Sequence, residues 1–208
     1  MKNPKGDDHL RQLIANEAAR IMSEEGVENF YTAKHKAVNR IGGNGNHTHL
    51  PTNKEIAEAM GIHQRLFLAN SQPQHLKHLR QAAIEALEFF SPFNPRIVGS
   101  VLSGNAGLHS DVNLHLFADY VEAVDMFLLD HKIPFERKEK KIKYSKEQTE
   151  IFPSYTFMAG DVEIDLVVFP VNGIRQSPRS PVDGKPMKRA TLEQVQKLLE
   201  ENHQNTTL

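Results

Sequence analysis

Cysteine is absent from all 208 residues. Disulfide bridges, thiolate zinc sites and cysteine nucleophiles are therefore excluded at once. A large charge of either sign is also missing. The formal net charge is −1, so no global field drives the chain onto nucleic acid or an acidic membrane. Nucleic acid stays open as a partner only through local basic patches. No apolar run approaches the ~18 residues needed to span a bilayer. The first residues, MKNPKGDDHLRQ, contain no apolar signal core, and a cytoplasmic location with no membrane partner is the expectation. What remains is ordinary soluble composition, 39% hydrophobic and 25% charged. The length suits one large domain or two small ones.

The first ninety residues carry helical spacing. Leu10, Leu13, Ile14, Ala18, Ile21 and Met22 recur on one helical face, and Gly26 suits the stop. A second helical stretch, VENFYTAKHKAVNRIG, ends at Gly42-Gly43, and GGNGNHTHLP follows as a loop. Thr52 and Glu55 have the spacing of a capping box, and a further helix runs from about residue 75 to Phe90, where Pro92 and Pro95 end it.

After Pro95 the pattern changes. RIVGSV reads as a short apolar strand. DVNLHLFA alternates, with Val112, Leu114 and Leu116 on one face and Asp111, Asn113, His115 and Phe117 on the other. An amphipathic helix, DYVEAVDMFLLDHK, precedes IPFERKEKKIKYS, whose lysines suit an exposed edge strand. SYTFMAGDVEIDLVVFP reads as a hairpin turning at Gly160-Asp161. A loop rich in proline, glycine and basic residues leads to Thr191 and Gln194, a second capping-box pair, and a last helix. The expectation is an α+β fold. Residues 1–74 form a helical N-terminal region and residues 75–208 an α/β domain with a small mixed sheet and a C-terminal helix, and residues 8–90 are expected to be helical and to act as a cover or specificity element.

The chemistry concentrates on two strands. Asp111 and Asn113 share a face of one, and Glu163 and Asp165 share a face of the other. If the strands are neighbours, Asp111, Asn113 and Asp165 converge. Clustered oxygen ligands beside a phosphate site suit Mg²⁺, which binds through one or two carboxylates plus substrate phosphates. Gly99-Ser100, Gly104 and Gly107 supply small residues where backbone N–H groups can approach a polyphosphate.

These residues resemble the signature of the DNA polymerase beta-like nucleotidyltransferase superfamily, and of its small bacterial members in particular. Gly99 and Ser100 match its Gly-Ser, Gly104 a glycine common in those small members, Ser110, Asp111 and Leu114 its second element, and Asp165 its third acid. The resemblance covers about residues 75 to 170. It implies transfer of a nucleoside monophosphate from a nucleoside triphosphate to a hydroxyl acceptor of unknown identity. Asp111 and Asp165 would be catalytic. Gly99, Ser100 and Gly104 would bind nucleotide, and Asp111, Asn113 and Asp165 would hold Mg²⁺ or Mn²⁺. Two departures stand out. Asn113 occupies the place of a second aspartate, and Ser103 that of an arginine often found before the glycine. Both weaken attraction for metal and triphosphate, so a fold retained as a nucleotide-binding or interaction module is the rival expectation.

Other features have plainer readings. Glu163 competes with Asp165 as the third acid. His115 shares the acidic face and is a candidate ligand for a softer metal, or a structural histidine. His47, His49, His75 and His78 lack thiolate or acidic partners at ligand spacing and suit loop and cap roles. The loop bearing Arg175, Arg179, Lys185, Lys188 and Arg189 suits either a fixed path or contact with phosphates.

Overall fold

The computed structural model describes residues 4–42, 50–67, 72–145 and 147–204. His47 and His49 lie outside them. The fold is α+β, with seven α-helices and one five-stranded mixed sheet among the described residues. It divides into two compact units. The first holds Met1–Gln74 with Asn105–His109 and Pro181–Asp183; the second holds His75–Gly104, Ser110–Ser180 and Gly184–Leu208.

The first unit is built from α1 (Pro4–Glu24), α2 (Phe30–Ile41) and α3 (Asn53–Phe67). Ile14, Ala15, Ala18, Ala19 and Ile21 of α1 pack with Ala33 and Ala37 of α2 and Ile56 and Ala59 of α3. The alanines bring helix backbones close together, so a small core closes with few large side chains. Asn29 caps α2 by accepting from the Tyr31 and Thr32 N–H groups, and Gly42 ends it at φ 76°. The Thr52–Glu55 capping box is formed. The Glu55 N–H donates to Thr52 Oγ1 at 3.2 Å, and Glu55 Oε2 accepts from the Thr52 N–H at 2.6 Å. Arg11 of α1 grips the same carboxylate with two hydrogen bonds of 2.8 Å, and its guanidinium holds that carboxyl down at about 2. Thr52→Ala removes the hydroxyl half of the box. We expect a loss of about 1 kcal/mol in the chemical denaturation of this unit; unchanged stability would show that Arg11 alone fixes the end of α3.

In the second unit α4 (Gln72–Phe89) leads into β1 (Arg96–Val98), a short helix α5 (Gly99–Ser103), β2 (Val112–Phe117), α6 (Glu122–Asp130), β3 (Glu136–Lys143), β4 (Thr149–Ala159), β5 (Val162–Phe169) and α7 (Leu192–Gln204). The strand order is β1-β2-β5-β4-β3. β2 and β5 run parallel, and every other neighbouring pair is antiparallel. The hairpin turns where expected, with Ala159 paired to Val162 and Gly160 at φ 65°, a conformation glycine adopts without strain. β4 begins five residues earlier than the sequence suggests, because Thr149–Pro153 pair with β3. RIVGSV is a strand only as far as Val98. At Gly99 φ swings to +80° and the chain coils into α5.

The two faces of the sheet differ. Leu114, Leu116, Tyr155, Phe157, Ile164 and Leu166 form a buried apolar face. Phe90, in the turn between α4 and β1, meets it 6.0 Å from Phe157, and Phe93 of the same turn packs 5.2 Å from Phe127 of α6, centroid to centroid. The opposite face carries Phe117, Phe152, Val167 and Phe169 as a second apolar cluster. It also carries Asp111, Asn113 and Asp165, toward the starts of β2 and β5. Among the described residues no helix is long and apolar enough to cross a membrane.

Candidate functional site

Strand register assembles the site. On parallel strands β2 and β5, Asn113 pairs with Asp165, and on antiparallel β1 it pairs with Val98, the residue before Gly99. Paired residues on adjacent strands project to the same side. Asp111 lies just ahead of β2, and the Asn113 side-chain amide donates to Asp111 Oδ1 at 2.8 Å. Gly99 closes the group: a Cβ built there would stand 3.5 Å from Asn113 Nδ2. Asp111, Asn113, Asp165 and the Gly99-Ser100 corner therefore occupy one patch of the second unit. Glu163, two residues before Asp165, is exposed and pairs with Met158.

The corner itself is held locally. Gly104 ends α5 at φ 82° and donates its N–H to the Ser100 carbonyl. Ser103 Oγ donates to the same carbonyl at 3.2 Å. Arg80 of α4, 5% exposed, donates from Nε to the Val101 carbonyl at 3.3 Å, anchoring the turn from beneath. Gly107 belongs to the first unit, where a Cβ would stand 3.8 Å from Gln64 Nε2.

Lys140 was not apparent from sequence. On β3 it is half-buried together with Ile142, while their neighbours are exposed. It donates from Nζ to Asp165 Oδ2. Asp165 Oδ1 is buried and has no hydrogen-bond partner among the described residues. The two-residue parity of Lys140 with Ile142 was the available signal, hidden in a run of lysines.

His115 does not join the acids as a ligand. It is 3% exposed, and its Nδ1 accepts from Arg189 Nε at 3.0 Å. Burial, helped by the charges of Arg189 and Lys140, pushes its pKa down to about 3. Arg189 also donates to the carbonyls of Gly173 and Ile174 and lies over the rings of Phe117 and Phe169. Arg179 likewise donates to the carbonyls of Tyr144 and Gly184. These two arginines fix the path of the basic loop, whereas Arg175, Lys185 and Lys188 are exposed. His78 pairs with Asp161, 3.0 Å away, on the surface.

Whether these residues suit a divalent cation turns on the donor set. Among the described residues no three histidine, aspartate or glutamate side chains converge at metal-ligand spacing. Two carboxylates and one amide are on offer, and the orphaned Asp165 Oδ1 is an oxygen of the kind a hard cation takes. This fits one Mg²⁺ or Mn²⁺ ion with the Asn113 amide turned to present its oxygen. It does not fit a pair of ions.

No family model matches the chain, and no curated protein or solved structure matches it.

Proposed function

We propose that the second unit is a nucleotidyltransferase site that binds a nucleoside triphosphate and transfers its nucleoside monophosphate to a hydroxyl-bearing acceptor in the cytoplasm. One observation carries this reading: the Asn113–Asp165 register, with Asp111 bonded to Asn113 and Gly99 packed against it. Residues far apart in sequence thereby meet, two of them at acid positions of the resemblance and Asn113 in place of its second aspartate. Asp111 and Asp165 would act on the reacting phosphate through a shared cation, and the Gly99-Ser100 backbone receives the departing pyrophosphate. Gly104 keeps that backbone in its turn. Asp111, Asn113 and Asp165 would hold a divalent ion, which would supply charge neutralisation for in-line attack. The acceptor oxygen forms the new bond to the α-phosphorus, the α–β phosphoanhydride bond breaks, and the hydroxyl proton leaves to solvent.

A second reading is favoured by one feature. Asn113 meets Asp111 with an N–H donor and Lys140 meets Asp165 with another. Both carboxylates are answered from within the chain, which supports a site that holds nucleotide without transferring it.

Calorimetric titration with each nucleoside triphosphate, with and without Mg²⁺ or Mn²⁺, tests the common part. Binding of at least one triphosphate is expected, competed by pyrophosphate. Pyrophosphate release on adding hydroxyl acceptors then separates transfer from binding. Absence of any nucleotide binding under all metal conditions would remove both readings.

A further inference from the structure

Lys140 projects from the outermost strand, β3, and its ammonium reaches an acid on β5, two strands away. Its strand neighbours on the same edge behave otherwise: Lys138 pairs with Glu136 at 2.9 Å on the surface, and Arg137 with Asp125 at 2.8 Å. Of these three β3 cations, Lys140 is the one that hydrogen-bonds Asp165, while Lys138 feels the charge of Asp165 from its pairing with Glu136. The Lys140 side chain is 42% exposed, while that of Asp165 is only 16% exposed. The cation thus enters from the solvent edge and meets a carboxylate set deeper in the sheet. A lysine ammonium is a compact point charge with three donors on a flexible stem. It can hold a carboxylate oxygen, and it can swing to a phosphate oxygen without leaving the site.

We infer that Lys140 is a tethered cation of this site, competing with a divalent ion for Asp165 and binding the nucleotide's phosphates directly. The inference rests on the nucleotide-binding reading above and deepens it. It assigns Lys140 as a specificity-determining residue that lets triphosphate bind with little dependence on divalent metal. The donor arithmetic supports this. With the Asn113 amide nitrogen on Asp111 Oδ1 and the ammonium on Asp165 Oδ2, a divalent ion meets two carboxylates already answered by internal donors and an adverse charge beside the orphaned Asp165 Oδ1. A polyphosphate meets a positive charge already in place.

Two affinities, measured on the full chain by calorimetry, test it: Mn²⁺ alone, and ATP in EDTA. In Lys140→Met, Mn²⁺ affinity should rise about tenfold and metal-free ATP affinity should fall about tenfold. Opposite movements are diagnostic, because damage to the fold lowers both. Lys140→Arg keeps the charge and should retain most of the metal-free ATP affinity. Lys141→Met, exposed on the opposite face of the same strand, should leave both values near those of the natural chain. If Lys140→Met leaves ATP and Mn²⁺ affinities unchanged, or weakens both, the inference is wrong while the nucleotide reading stands. If no triphosphate binds the natural chain or any variant, the phosphate role of Lys140 falls with that reading. A Mn²⁺ gain confined to Lys140→Met would then still establish its competition for Asp165.

Discussion

Acidification from pH 7 to pH 4 should cost the sheet unit about 3 kcal/mol through His115 alone. The imidazole is buried against Phe169, its ring centroid 4.7 Å away, with a guanidinium on Nδ1. Protonating it would put a cation in an apolar setting beside a second cation, so its folded pKa sits at about 3 against an ordinary 6.5. The sign follows from proton counting. Between pH 6.5 and pH 3 the unfolded chain binds a proton that the folded chain refuses. Stability is therefore full above about 6.5 and falls as pH is lowered toward 3. His115→Gln keeps an acceptor for Arg189 but cannot be protonated. Denaturant titrations at pH 7 and pH 4, followed by the amide NMR signals of β2 and β5, should show a pH-dependent loss about 3 kcal/mol smaller in His115→Gln. Equal losses in the two proteins would mean that His115 charges freely and that the Arg189 contact does not hold it neutral.

That contact also shows where the sequence ceased to be readable. Local rules worked where the cause was local. Thr52 with Glu55 and Thr191 with Gln194 close as capping pairs, since each hydrogen bond lies within one helical turn. The alternation in DVNLHLFA separated Val112, Leu114 and Leu116 from the face bearing Asn113 and His115, because strand geometry permits nothing else. The Gly160 turn was visible in the same way. His115 suited a structural role from sequence, but the contact that fixes it was not readable, since its partner lies 74 positions away in a proline-rich loop. Lys140 was read as one more solvated lysine on an edge strand. Its partner Asp165 is 25 positions away, and the pairing depends on the order β5-β4-β3, which no local pattern reveals. Gly99 shows the reverse error. An apolar run appeared to continue through Ser100 and Val101, but the positive φ open to glycine ended the strand and started a helix.

The structure also changes the reasoning about Asn113. Compared with aspartate, asparagine was expected to offer less charge to a cation. Here it does more than lack a charge: its amide N–H is the donor that satisfies Asp111, 2.8 Å away. The residue thereby stabilises the patch in the absence of metal.

Asn113→Asp should therefore act in two directions at once. Without a divalent ion, two carboxylates would face each other across a distance now bridged by a hydrogen bond. Such a pair either shares a proton or repels. Losing the donor and adding like charge is expected to cost about 1–3 kcal/mol of stability at neutral pH. With a divalent ion the balance reverses, because a full charge replaces an amide dipole beside Asp111 and across from Asp165. Divalent affinity should rise about 100-fold, equivalent to about 2.7 kcal/mol. Because the ion binds only the folded state, that gain returns as stability once the ion is in excess. The thermal midpoint of Asn113→Asp should thus lie below that of the natural chain in EDTA and climb steeply with added Mg²⁺. The natural chain should respond little. Calorimetry with Mn²⁺ gives the affinity change independently of melting. A variant with an unaltered midpoint in EDTA would show that the Asn113–Asp111 hydrogen bond contributes nothing to the apo state. A variant with unaltered divalent affinity would show that Asp111, Asn113 and Asp165 do not form a cation site.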